Sequence, residues 1–198
     1  MDKKVHETRL DSIGFNINFD NYCETVILIG PTNAGKSTMS AVLSKKEIVQ
    51  IFYEDEDDIR YDLKEQNSDI INIEHGFNSG TIKPVFIKSG NRLIVDCPGF
   101  LDSSRNAVVR FNQSLQIKKI FDKCKNVKVI LVVSSDNINS INGLVFLDII
   151  EGFLKSVQEN NNQIFDSLGI CLTKIYLGSG NGYTKLNRCL KRYKKFTP

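Results

Sequence analysis

Tryptophan is absent from this chain of 198 residues, and histidine occurs only twice. His6 and His75 lie far apart in sequence and neither has a carboxylate at catalytic spacing, which leaves no basis for a Ser/His/Asp or Cys/His nucleophilic system. His75, in Glu74-His75-Gly76, reads as a solvated loop histidine. The cysteines (Cys23, Cys97, Cys124, Cys171 and Cys189) are odd in number and never spaced Cys-x-x-Cys, so neither a disulfide frame nor a zinc site is expected. They fit buried thiols in a reducing compartment. No apolar run approaches the length that spans a bilayer, so no transmembrane segment is expected, and residues 1–12 are charged without the apolar stretch of a signal peptide. A soluble, cytoplasmic protein is expected.

Charge of either sign is not in excess overall, the net value being +3, but it is unevenly placed. Glu54 to Asp58 is an unbroken acidic run, and Lys185 to Lys195 holds six Lys/Arg. The basic stretch has the composition for a nucleic-acid or anionic-membrane contact, yet Leu186, Cys189, Leu190 and Tyr193 recur at i, i+3, i+4, i+7. A solvated face of an amphipathic helix is the favoured reading. The length suits one domain over 1–198, with a core at about 24–176 and residues 177–198 forming a linker and a basic C-terminal helix.

What is present is a phosphate-binding loop. Gly30-Pro31-Thr32-Asn33-Ala34-Gly35-Lys36-Ser37 follows a strand-like run at 25–29 and precedes a helical stretch at 36–44, which Thr38 joins. Two glycines let the backbone curl so that successive amides face a phosphate, and the helix N-terminus adds its partial positive charge. Lys36 then reaches the β- and γ-phosphates, and the Ser37 hydroxyl is placed to ligate Mg²⁺. The plain alternative is a glycine-rich turn that merely opens a helix.

Strand-like runs recur at 25–29, 81–88, 92–97, 127–135 and 168–176, with helical stretches at 36–44, 107–125, 143–159 and 183–195. This alternation predicts an α/β fold, a mainly parallel sheet covered on both faces. Only Ser89-Gly90-Asn91 separates two of the strands, too short for a crossover helix, so an antiparallel hairpin is expected there. That combination predicts a three-layer, Ras-like arrangement and argues against nucleotide kinases and helicase-type ATPases. Residues 48–78 are the least regular part and read as a mobile switch segment with some local structure.

Asp96-Cys97-Pro98-Gly99 ends the strand after that hairpin. An Asp there can hold Mg²⁺ through water, and Gly99 lets its amide approach the γ-phosphate. Thr81, after Asn78-Ser79-Gly80, is the candidate switch threonine, a second Mg²⁺ ligand with a catalytic part beside Lys36; opening a strand is its ordinary alternative. Thr173 and Lys174 stand at the end of the last strand, where a lysine is ordinarily a solvated cap.

Together, Gly30-x4-Gly35-Lys36-Ser37, Thr81 and Asp96-x-x-Gly99 resemble the translation-factor-related class of P-loop GTPases. Asp96-Cys97-Pro98-Gly99-Phe100 is similar to the third motif of the septin, chloroplast-import-receptor and immunity-associated branch, and of G-domain proteins of protists. The resemblance covers about residues 25–175 and implies GTP/GDP as ligand, Mg²⁺ as cofactor and, in that branch, a homodimer across the nucleotide face.

Two positions depart from the class. Phe100 stands where a glutamine orients the attacking water in Ras-like catalysis, which implies hydrolysis that is slow or completed by a partner or second copy. Tyr176 stands where the guanine-reading Asp of Asn/Thr-Lys-x-Asp belongs, leaving Thr173 and Lys174 as the matching part. The reading is a GTP-binding, Mg²⁺-dependent switch. Its rivals are an ATP-binding or base-promiscuous P-loop NTPase and a non-hydrolysing G-like interaction module.

Overall fold

The computed structural model describes residues 17–52, 59–64, 83–99, 106–139, 146–148, 150–152 and 167–175. In chain order the elements are β1 (Glu24–Ile29), α1 (Lys36–Leu43), β2 (Ile48–Phe52), β3 (Ile59–Leu63), β4 (Val85–Ser89), β5 (Arg92–Asp96), α2 (Ala107–Lys123), β6 (Val127–Ser134), α3 (Ser135–Asn139) and β7 (Leu168–Thr173). Residues 146–148 and 150–152 are helical.

Five strands form one sheet in the order β4-β5-β1-β6-β7. β1 pairs in parallel with β5 on one side and β6 on the other, β6 pairs in parallel with β7, and only β4 runs antiparallel to its neighbour. The three-residue link predicts that hairpin, and Gly90 turns it with a φ of 60°. The unbroken apolar sequence of β1 has its physical reason here, because successive residues serve opposite faces. Ile27 and Ile29 pack with Leu93, Val95, Val129, Leu131 and the α2 residues Ile117, Ile120 and Phe121. Val26 and Leu28 pack with Ala34 and Ala41 of the loop and α1, and with Leu63 of β3. Ile27, Leu28 and Ile29 are all fully buried, each contributing about 1.5–3 kcal/mol by transfer from water.

Within 48–78, residues 48–52 and 59–64 are described, and they carry the local structure expected there. β2 and β3 form a separate antiparallel pair, Ile48 opposite Leu63 and Phe52 opposite Ile59. Leu63 anchors the pair in the core beneath α1, and Lys64 closes its base through a main-chain bond to Glu47 O at 3.0 Å and a side-chain bond to Glu47 Oε1 at 2.7 Å. The acidic run falls at 54–58, between these strands and outside the described residues.

Several boundaries differ from the sequence pattern. β6 stops at Ser134 instead of Ser135 because a helix begins there: the Ser134 N–H donates to Asn137 Oδ1 at 3.0 Å while the Asn137 N–H donates back to Ser134 Oγ at 3.3 Å. This reciprocal cap satisfies donors that a helix start leaves orphaned. β7 stops at Thr173, not Tyr176, since Lys174 takes a left-handed φ of 50° that no strand continues. β4 begins at Val85, after Pro84, which lacks the N–H a ladder needs. α1 ends one residue short of expectation and α2 two residues short, the α2 C-cap Cys124 being extended. The helices expected at 143–159 and 183–195 fall partly and wholly outside the described residues.

Candidate functional site

The site lies where the carboxyl ends of the parallel strands meet the start of α1, the position at which open α/β sheets bind ligands. Gly30 to Gly35 join β1 to α1 and curl tightly, with positive φ at Gly30 (152°), Asn33 (60°) and Gly35 (89°). Gly30 cannot be replaced: a Cβ would stand 2.0 Å from the Val132 carbonyl oxygen of the neighbouring strand. Asparagine at 33 is among the few side-chain-bearing residues that accept the left-handed region readily. The loop thus hugs β6 and frees its opposite side for a ligand.

Lys36 sits in the first turn of α1 yet is only 6% exposed. Its Nζ donates to the Pro31 carbonyl at 2.7 Å, which folds the side chain back over the loop it follows. Ser37, next in the helix, donates from Oγ to Asp96 Oδ2 at 2.6 Å, across a sequence separation of 59 residues. Thr38, also in that first turn, is half-buried. The parallel β1–β5 register brings Leu28 beside Asp96, and the Cys97 N–H extends the ladder to Leu28 O at 3.2 Å.

Asp96 is 3% exposed, and its second oxygen, Oδ1, has no hydrogen-bond partner. Burial raises its carboxyl above the usual value, and the Ser37 hydroxyl and the Lys36 ammonium pull it partway back. Such a penalty has to be offset by a ligand or tolerated. The donor set fits Mg²⁺: the Ser37 hydroxyl proton is committed to Asp96, leaving oxygen lone pairs on Ser37, and Asp96 keeps one unused acceptor. Among the described residues no group of three or more His, Cys, Asp or Glu could hold a metal by itself. Cys97, fully buried, has its thiol pushed upward by burial first and by the Asp96 charge second, so it stays protonated and inert.

Gly99 is buried against the loop, and a Cβ there would stand 2.2 Å from Thr32 Oγ1 and 2.8 Å from Thr32 N. Thr173 reaches the loop from the other side. Its Oγ1 donates to Ala34 O at 2.6 Å and lies 3.3 Å from Val133 O. Thr173, a base-contact candidate from the sequence, is thus also bonded to the phosphate loop. Lys174 is exposed, and its carbonyl accepts from Ser135 Oγ.

The structure therefore brings Asp96, Gly99 and Thr173 against the loop and helix start formed by Gly30, Pro31, Thr32, Asn33, Ala34, Gly35, Lys36 and Ser37, with Lys174 next to Thr173. Thr81, Phe100 and Tyr176 lie outside the described residues. Sequence reasoning missed Ser135 and the Ser134–Asn137 cap, which fix the end of β7 through Lys174. The signal was legible as a Ser-Ser-Asp-Asn cluster directly after an apolar strand, a helix-start signature.

Residues 25–168 match the model of a family described as 50S ribosome-binding GTPase. No curated protein sequence matches the chain. Among solved structures, the GTP-binding protein engB aligns with a TM-score of 0.39 and 18% identity over 86% of this chain and 99% of its own. A nucleolar GTP-binding protein 1 from Plasmodium falciparum aligns with a TM-score of 0.31 and 17% identity over 91% of each chain. With the family match spanning the phosphate loop, the Asp96 strand end and the sheet that joins them, the chain belongs to the 50S ribosome-binding GTPase family and is a GTP-binding P-loop GTPase.

Proposed function

We propose that the chain is a Mg²⁺-dependent nucleotide switch whose intrinsic hydrolysis is slow, or is raised by a partner or a second copy. The observation that carries this reading is the buried Asp96 carboxylate, bonded to Ser37 through one oxygen and left with an unused acceptor on the other, at the lip of the phosphate loop. Ser37, Asp96 and Thr81 would hold the ion, which when bound neutralises phosphate charge. The loop from Gly30 to Ser37, with Thr38 behind it, cradles the phosphates, and Lys36 offsets the charge that develops on the β–γ bridge. The Gly99 amide contacts the γ-phosphate. Thr173 and Lys174 hold the base end, Lys174 by its stem and Thr173 by fixing the loop.

The slow rate is supported by Phe100, which has no hydrogen-bonding group where Ras-like catalysis uses glutamine. Loss of the γ-phosphate would free Thr81 and Gly99 and relax both switch segments. The Asp-x-Pro-Gly-Phe run favours kinship with the septin, import-receptor and immunity-associated branch, and with it pairing across the nucleotide face. No helix among the described residues is long and apolar enough to cross a membrane, in keeping with a cytoplasmic switch.

Nucleotide released by denaturing the purified protein should be GDP or GTP on chromatography; an adenine nucleotide would sink the base assignment. Lys36→Ala should abolish triphosphate binding in calorimetry. Single-turnover hydrolysis should accelerate with protein concentration if two copies complete the site, and stay flat if they do not.

A further inference from the structure

The contact between Thr32 and Gly99 joins the phosphate loop to the segment after β5. Both ends of Asp96-Cys97-Pro98-Gly99 rest on the loop: Asp96 is bonded to Ser37 at its far end, and Gly99 lies on Thr32 near its start. All four residues are buried, and the Cys97 N–H is tied to Leu28 O. Their path is therefore set by the sheet and the loop together. At Gly99 the fit is closest to side-chain oxygen, 2.2 Å from the Cβ position to Thr32 Oγ1 against 2.8 Å to Thr32 N and 2.9 Å to Thr32 Cα. Threonine is β-branched, so its χ1 is stiff and it presents a fixed surface where a serine or a longer chain would move.

We infer that Thr32 is a positioning residue for Gly99, a rigid rest that holds this glycine at the rim of the phosphate loop before nucleotide arrives. This rests on the reading of Gly99 as the γ-phosphate contact. The loop amides that would cradle the β-phosphate take their placement from the positive φ of Gly30, Asn33 and Gly35 and from the Thr173 bond to Ala34. A γ-phosphate additionally needs Gly99 in place. Where Thr32 holds it, Gly99 is already ordered in the free protein; without the rest, triphosphate binding has to supply that ordering and diphosphate binding does not. Thr32 thus sets the preference for triphosphate over diphosphate, a property distinct from binding itself.

The test compares GDP with a non-hydrolysable GTP analogue in calorimetry, using the full chain with Mg²⁺. Thr32→Ala should weaken the triphosphate analogue about tenfold more than it weakens GDP, as expected when the ordering of roughly one residue shifts to the binding step. Thr32→Val keeps two heavy atoms on Cβ and should retain the wild-type ratio, a rescue that a merely polar role would not give. An unchanged ratio in Thr32→Ala would overturn the inference. So would a ratio shifted toward triphosphate, which would make Thr32 an obstruction, and so would an equal loss of both ligands, which would make it a part of the cradle. If the wild-type protein binds GDP and the analogue with no dependence on Gly99, as read in Gly99→Ala, it is the γ-phosphate reading that fails instead.

Discussion

Replacing Asp96 by asparagine should make the nucleotide-free protein more stable while removing the Mg²⁺-dependent part of triphosphate binding. Asp96 is 3% exposed and one of its carboxylate oxygens is orphaned. A buried ion carries a penalty of several kcal/mol, of which Ser37 and Lys36 offset part. Asparagine leaves a neutral orphan, with a penalty of about 1–3 kcal/mol, and keeps an oxygen to accept from Ser37. The net gain expected at neutral pH is about 1 kcal/mol or more, equivalent to ~2–4 °C in midpoint per kcal/mol for a chain of this size.

The pH dependence fixes the cause. Burial raises the folded-state value of Asp96 above 3.8, so between 3.8 and that raised value the folded chain holds a proton that the unfolded chain has lost. Stability is then greatest with the acid neutral, declines as pH rises from 3.8 through the raised value, and is flat above it. The advantage of Asp96→Asn should accordingly be larger at pH 7.5 and shrink on acidification. Urea unfolding of both proteins, without nucleotide or Mg²⁺, at pH 7.5 and at pH 4.5 reads this directly. A variant less stable than wild type at pH 7.5, or an advantage that does not narrow at pH 4.5, would refute the reasoning.

Thr173→Val should cost about 1–3 kcal/mol by stranding the Ala34 carbonyl; because it loosens the cradle itself, GDP and triphosphate affinities should fall together in calorimetry, and Thr173→Ser should restore them. Gly30→Ala drives a methyl to 2.0 Å from the Val132 carbonyl oxygen, a backbone atom that cannot turn aside. It should eliminate nucleotide binding in equilibrium dialysis and lower stability by about 1–3 kcal/mol or more; retained affinity would mean that the loop tolerates displacement from β6.

The comparison of pattern with structure separates local from non-local information. The phosphate loop, the hairpin and the burial of β1 on both faces were legible because each is written in adjacent residues: glycine spacing, a three-residue link, an apolar run without alternation. The local structure expected in 48–78 could not be assigned to β2 and β3 from the sequence, because the acidic run masks the strand pattern and the anchoring of Leu63 beneath α1 depends on residues outside that segment. The bond from Thr173 to Ala34 was not legible, since it spans a separation of 139 residues.

By itself, the sequence determined that a phosphate-loop motif joins the first strand to the first helix and that an Asp-x-x-Gly segment follows an antiparallel hairpin. These follow from backbone conformational limits and from hydrophobic periodicity, both properties of short stretches. Only the tertiary structure decided that Ser37 and Asp96 share a hydrogen bond, that one Asp96 oxygen is left orphaned, and that Gly99 rests on Thr32. Those contacts arise where separate strand ends converge, and it is the parallel pairing of β1 with β5 and β6, fixed by burial of the whole sheet, that sets their distances.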